Sequence, residues 1–246
     1  MKTRLLLIAA FCLLSPTVAL LAQSETRSFT DEEDARVATV AARQNAVTES
    51  LTAGDRFHTA GDNEKAAGEW NRAGRFQLKL NKPEDAIVTF QRAVDVLATN
   101  ADSKTRVDSL NGLARAYARI GKADKATPQV REALDVSERI NYVEGQAEAA
   151  LVETYCVANK LEALNKAQKS LELWTSINNK LGMAQAYQMV GEYQLIQNNL
   201  IEAANNYEMA RQLWQELNVP NQVAEALINL GFESLGDLIE IGRAHV

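Results

Sequence analysis

One helical face of small residues returns about every 40 positions, and no other feature limits the folding choices of this chain so tightly. Ala86, Ala126, Ala163 and Ala203 recur at intervals of 40, 37 and 40 residues. Four positions after each stand Phe90, Val130, Ala167 and Tyr207, and three further on come Ala93, Ala133, Ser170 and Ala210. Offsets of four and seven place side chains on one stripe of an α-helix. Upstream of each stripe lies a small or modest residue, Gly74, Ala114, Val152 or Gly191, with Gly231 opening a fifth unit, where a paired helix approaches closely. Seven residues beyond the first four come Asn81, Gly121, Asn159 and Asn198, which tolerate the left-handed conformation of a tight helix-to-helix turn. A unit of this size buries its stripe only against copies of itself. The predicted fold is all-α, and the 246 residues, 46% hydrophobic with only four prolines, have the usage of helices packed on helices.

In the first unit Trp70-x-x-Ala73-Gly74 leads to Ala86-x-x-x-Phe90, with Pro83 opening the second helix, where its missing N–H costs nothing. These residues resemble the tetratricopeptide-repeat (TPR) consensus, W-x-x-L-G-x-x-Y followed by A-x-x-x-F, from roughly Ala53 to Glu240. Leu173-Trp174, recurring as Leu213-Trp214, resembles the 40-residue TPR subtype. The resemblance implies a TPR-like right-handed solenoid of antiparallel helix pairs over residues 53–240, with a concave groove and both tryptophans in the inter-repeat core. Departures are visible: Pro128 is expected to delay the start of a second helix, the third unit is short by two or three residues, and Gly231 to Gly236 is a shortened turn. A further match at Gly54, Phe57, Gly61, Ala66, Trp70 and Ala73 reads the 63–80 helix as the second of a pair, so the pairing before residue 80 stays open.

Lys2 and Arg4 precede an apolar run from Leu5 to Leu14, followed by Ser15-Pro16 and small cleavage residues at Ala19 and Ala22. Residues 1–22 read as a secretory signal peptide, with an uncleaved anchor as the alternative; bulky Phe11 before Cys12 argues against a lipoprotein signal. Residues 23–30 are a linker. Thr30-x-x-Glu33 forms a capping box ahead of a helix expected to end near Ser50, so residues 31–52 read as an N-terminal capping helix. The C-terminal Ile-Gly-Arg-Ala-His-Val, residues 241–246, back-translates to a string resembling a sequencing adapter and is expected to be a non-native scar, with the natural chain continuing past Glu240.

Without Lys2 and Arg4 the 26 Lys and Arg fall to 24 against 32 Asp and Glu, a net charge of −8, so nucleic acid is not an expected partner. No later segment is apolar enough to enter a membrane after signal cleavage, and the expected location is periplasmic or extracellular. Loss of Cys12 leaves Cys156 alone, with no internal disulfide to form. His58 and Cys156 have no catalytic motif around them, and Cys156 reads as a small buried hydrophobe. The sequence carries no Gly-rich phosphate loop, metal-ligand cluster or nucleophile elbow, so the chain reads as a non-enzyme without cofactor or metal.

In a TPR the first helix of each pair lines the groove. Asn71, Arg75 and Lys79 are followed 40 residues later by Asn111, Arg115 and Arg119, a basic stripe with interleaved amides. The matching positions of later units are Ala149, Glu153 and Val157, then Gln188, Glu192 and Ile196. The stripe resembles, in residue type, grooves by which some TPR domains hold a peptide carboxylate. The expected function is an exported scaffold or adaptor holding a protein or acidic peptide segment in that groove. The alternative is the recognition arm of a larger enzyme, because long-period arrays of this kind resemble those preceding the caspase-like CHAT peptidase domain in bacterial proteins.

Overall fold

Among the described residues, seven helix ends close in the same way, each with one residue in the left-handed region: Gly61, Asn81, Gly121, Asn141, Asn178, Asn198 and Asn218. The next residue's N–H then reaches back across the last turn, as in Lys82 to the Gln77 carbonyl at 2.9 Å and Asn199 to that of Gln194 at 2.9 Å. This closure satisfies carbonyls that a helix end leaves open, and asparagine tolerates the left-handed conformation better than most residues with a Cβ.

The computed structural model describes residues 39–97 and 102–219. The chain divides into Met1–Ala35 and Arg36–Val246, and the described residues lie in the second unit. The expected signal, linker, capping box, fifth unit and C-terminal scar fall outside them. The described residues form nine helices and no strand: α1 (Val40–Thr59), α2 (Asn63–Lys79), α3 (Pro83–Val96), α4 (Lys104–Arg119), α5 (Ala123–Arg139), α6 (Val143–Cys156), α7 (Lys160–Ser176), α8 (Lys180–Ile196) and α9 (Leu200–Glu216). Side-chain caps mark several starts: Asp62 accepts from Lys65 N, Ser103 from Arg106 N and Asn179 from Gly182 N.

The repeated face is buried throughout, from Ala86 and Phe90 in α3 to Ala203 and Tyr207 in α9. Phe90 shows why small residues recur opposite it. Its ring lies between α2 and α4, so that a Cβ at Gly74 would stand 2.6 Å from its tip and one at Gly112 2.3 Å from its edge. Trp70 covers Gly54 and Trp174 covers Gly182 in the same manner, and Trp174 and Trp214 are both core residues.

Each helix packs on its chain neighbours, and α2 also packs on α4, α4 on α6 and α6 on α8. Elements on the inside of a curved stack stand closest to their next-but-one neighbours. The even-numbered helices therefore line the inner face, which fixes the pairs as α2–α3, α4–α5, α6–α7 and α8–α9. Helix α1 packs on the start of this array, where Asp55 accepts from Trp70 Nε1 at 3.3 Å and pairs with Arg92 at 2.7 Å.

Three expectations need correction. The boundary between a capping helix ending at residue 52 and an array starting at 53 falls inside α1, which runs unbroken to Thr59 because Gly61 is the first residue to take the left-handed turn. Pro128 does not delay α5, which starts at Ala123 and carries the proline on its exposed side. The carbonyl that loses its helical partner there belongs to Asp124, which is also exposed. Asn159 is not a left-handed turn residue: at φ −78 it is the N-cap of α7, accepting from Leu161 N at 2.9 Å and Glu162 N at 3.1 Å. The connection between α6 and α7 has three residues like the turns elsewhere, but its first residue, Val157, is extended at φ −95 and ψ 136, so the chain leaves α6 without the left-handed closure.

Candidate ligand groove

Asn71 and Arg75 sit on the inner side of α2 and Asn111 and Arg115 on that of α4, but the structure separates the amides from the cations. Asn71 is 2% exposed and Asn111 1% exposed. Asn71 Nδ2 donates to the Thr105 carbonyl at 3.2 Å, and Asn111 Nδ2 donates to the Gly145 carbonyl at 3.0 Å. One contact thus repeats: an inner helix grips the first turn of the next inner helix. The geometry makes both asparagines clamps between repeats.

The four cations stand on accessible ground. Arg75 is half-buried. The Lys79 ammonium lies 5.2 Å from the Phe76 ring centroid. Arg115 pairs with Glu148 of α6 at 2.5 Å. Arg119 Nη1 donates to the Leu78 carbonyl at 3.1 Å, near the negative end of α2. The stripe is therefore held by the fold from within, and its side chains are pre-positioned.

Tyr155 of α6 is the inner-face residue that periodicity did not single out. It is 48% exposed, yet burial among its neighbours pushes the phenol up, Arg115 and Arg119 pull it down, and Glu192 opposes them. A side chain both accessible and crowded belongs to a concave wall. On the next inner helix, burial pushes the Glu192 carboxyl above the usual range, with partial relief from a hydrogen bond to Gln188. The inner face thus runs from cationic at α2 and α4, through an exposed tyrosine on α6, to a half-buried carboxylate on α8. Glu153, matched by spacing to the stripe, pairs with Lys166 of α7 at 2.9 Å.

Cys156 is half-buried with its thiol 3.6 Å from the Val152 carbonyl, and burial pushes that thiol up, keeping it protonated. His58 lies at the end of α1, with Nδ1 3.1 Å from Asn63 Oδ1. No described helix is long and apolar enough to cross a membrane.

No family model matches the chain. Tetratricopeptide repeat protein 29 of Trypanosoma brucei brucei is 27% identical over 175 residues, covering 65% of this chain; the chain spans about a third, 34%, of that relative's length. Bacillus thuringiensis PlcR, solved in complex with the peptide PapR7 and DNA, superposes with a TM-score of 0.62 at 17% identity, covering 87% of this chain and 80% of PlcR. BtubC from P. vanneervenii superposes with a TM-score of 0.59 at 16% identity, covering 80% of this chain and 84% of that one. The fold is a TPR-like helical-repeat solenoid. Its antiparallel pairs and inner-helix contacts are those of such arrays, and the TPR-like groove is the face on which the cations and Tyr155 meet.

Proposed function

We propose that this chain is an exported protein-interaction scaffold that holds an extended peptide or protein segment against the inner faces of α2, α4, α6 and α8. The carrying observation is the meeting of Arg115, Arg119 and the exposed Tyr155 where α4 and α6 stand side by side. An extended segment offers a carboxylate to the cations and packs against the ring. Charge-assisted contacts of this kind contribute about 1.5 to 3 kcal/mol when partly desolvated, against almost nothing for a solvated cation. Lys79 and Arg75 extend the cationic surface toward α2.

Selection of random dodecapeptides on the full chain tests the reading. Acidic residues should be enriched at one position, and Arg75→Gln with Arg115→Gln should abolish that enrichment without changing the far-ultraviolet helix signal. Enrichment that persists in the double variant would place recognition elsewhere on the solenoid. Export is tested separately by N-terminal sequencing of the secreted or periplasmic protein, which should begin after Ala19 or Ala22; recovery of an intact Met1 in the membrane fraction would favour the anchor.

A further inference from the structure

Tyr207 takes in the fourth unit the place that Phe90 holds in the first. Each ring tip rests on the glycine of its inner helix: a Cβ at Gly191 would stand 3.0 Å from Tyr207 Cζ, and one at Gly74 2.6 Å from Phe90 Cζ. Cζ carries the tyrosine hydroxyl, so the oxygen extends beyond the ring tip that rests on Gly191, and Glu192 of α8 is close enough to act on it electrostatically. Phenylalanine would fill the core equally well without this oxygen. Tyr207 is only 3% exposed, and its hydroxyl has no hydrogen-bond partner among the described residues. Burying such a group unpaired costs the fold.

Glu192 follows Gly191 in the chain and interacts electrostatically with Tyr207, Tyr155 and Tyr193. Three other half-buried glutamates of this array have a cation in hand: Glu148 pairs with Arg115 at 2.5 Å, Glu153 with Lys166 at 2.9 Å and Glu208 with Arg211 at 2.6 Å. Glu192 forms no ion pair with a described residue; Lys160 lies instead over the ring of Tyr193, 5.9 Å from its centroid. Burial disfavours its charge, and its neighbours Tyr155, Tyr193 and Tyr207 bring no compensating positive charge. A carboxylate without a counter-ion, a buried hydroxyl without a partner and an accessible tyrosine ring thus converge on one stretch of the inner face. A single species relieves all three: a cation with N–H donors, which pairs with the carboxylate, donates to the hydroxyl and lies against the ring.

We propose that Glu192, the Tyr207 hydroxyl and the Tyr155 ring form a subsite for a lysine or arginine side chain of the bound segment. This rests on the groove reading and sharpens it, because the segment must then carry charges of both signs. Helices in contact stand about 8–10 Å apart. Two such steps separate α4 from α8, which an extended chain rising about 3.3 Å per residue covers in five or six residues. The ligand is therefore an extended segment with an acidic residue at the Arg115 end and a basic residue about five or six positions away.

The same dodecapeptide selection reads this at a second position. The wild-type chain should enrich an acidic residue and, five or six positions from it, Lys or Arg. Glu192→Gln should lose the basic preference and keep the acidic one, and should bind the best wild-type peptide at least tenfold more weakly. Tyr207→Phe, which keeps the packed ring, should weaken that peptide about threefold while melting no lower than wild type. Acidic enrichment alone, or a basic preference that survives Glu192→Gln, overturns the subsite and leaves the groove reading standing. Selection that enriches no peptide overturns both.

Discussion

Gly74 lies so close to Phe90 that a Cβ on the glycine would stand within 2.6 to 2.8 Å of three atoms of the ring tip. The ring cannot retreat, because Gly112 closes the slot from the other side. Alanine is the better helix former by about 1 kcal/mol, yet the clash outweighs that gain. Gly74→Ala should lower stability by about 1 to 3 kcal/mol through overpacking, measured by urea unfolding, and Phe90→Leu in the same chain should recover part of the loss.

The asparagine clamps differ in what each leaves behind. Thr105 O also accepts from Ser109 Oγ at 2.7 Å, so Asn71→Ala keeps that carbonyl partly satisfied. Asn111→Ala removes the side-chain donor from Gly145 O in a buried site. Both should destabilise by about 1 to 2 kcal/mol, with Asn111→Ala the larger. Equal, negligible effects in chemical denaturation would show that the amides do not hold the repeats together.

Pro128 costs α5 a backbone hydrogen bond on its exposed side. Pro128→Ala should restore the bond to the Asp124 carbonyl and raise stability by about 1 to 3 kcal/mol. The melting temperature reads this directly.

Glu192 links stability to pH. Burial makes the folded chain hold this proton to higher pH than the unfolded chain, where the carboxyl titrates near about 4.3. Stability contributed by the protonated group is therefore fully present below that value and is lost as pH rises through the raised folded value. Glu192→Gln should be close to neutral in acid and stabilising at pH 8, measured by urea midpoints at the two pH values. A variant less stable than wild type at pH 8 would show that the ionised carboxylate supports the fold.

Arg115 and Glu148 are both half-buried and paired, so removing one charge acts on its partner as well as on a ligand. Arg115→Glu should cost stability, and adding Glu148→Arg should recover it, with a coupling of about 0.2 to 1 kcal/mol in a double-mutant cycle. Peptide affinity should fall with added salt in the wild type, and its position-dependent preference should shift in the swapped chain, since the positive charge moves from α4 to α6.

The sequence alone determined the repeat, its buried face and the helix-closing turns at Asn81, Gly121 and Asn198, because these depend on local chemistry. An alanine returning about every 40 residues, a glycine opposite a ring and an asparagine at a turn each act within a unit or against a similar neighbour. Tertiary structure decided the rest. Asn71 and Asn111 carry the same residue type as a groove amide, and only the stacking of α2 on α4 and of α4 on α6 brings a backbone carbonyl within their reach. Glu148 pairs with Arg115 across the contact between α4 and α6, and repeat spacing, which relates equivalent positions, does not say which side chains meet between helices. The exposure of Tyr155, 40 residues after Arg115, and the lack of a partner for the Tyr207 hydroxyl were not legible in the spacing either. Burial, exposure and partnership are properties of several helices at once, and the curvature that sets them is summed over contacts distant in sequence.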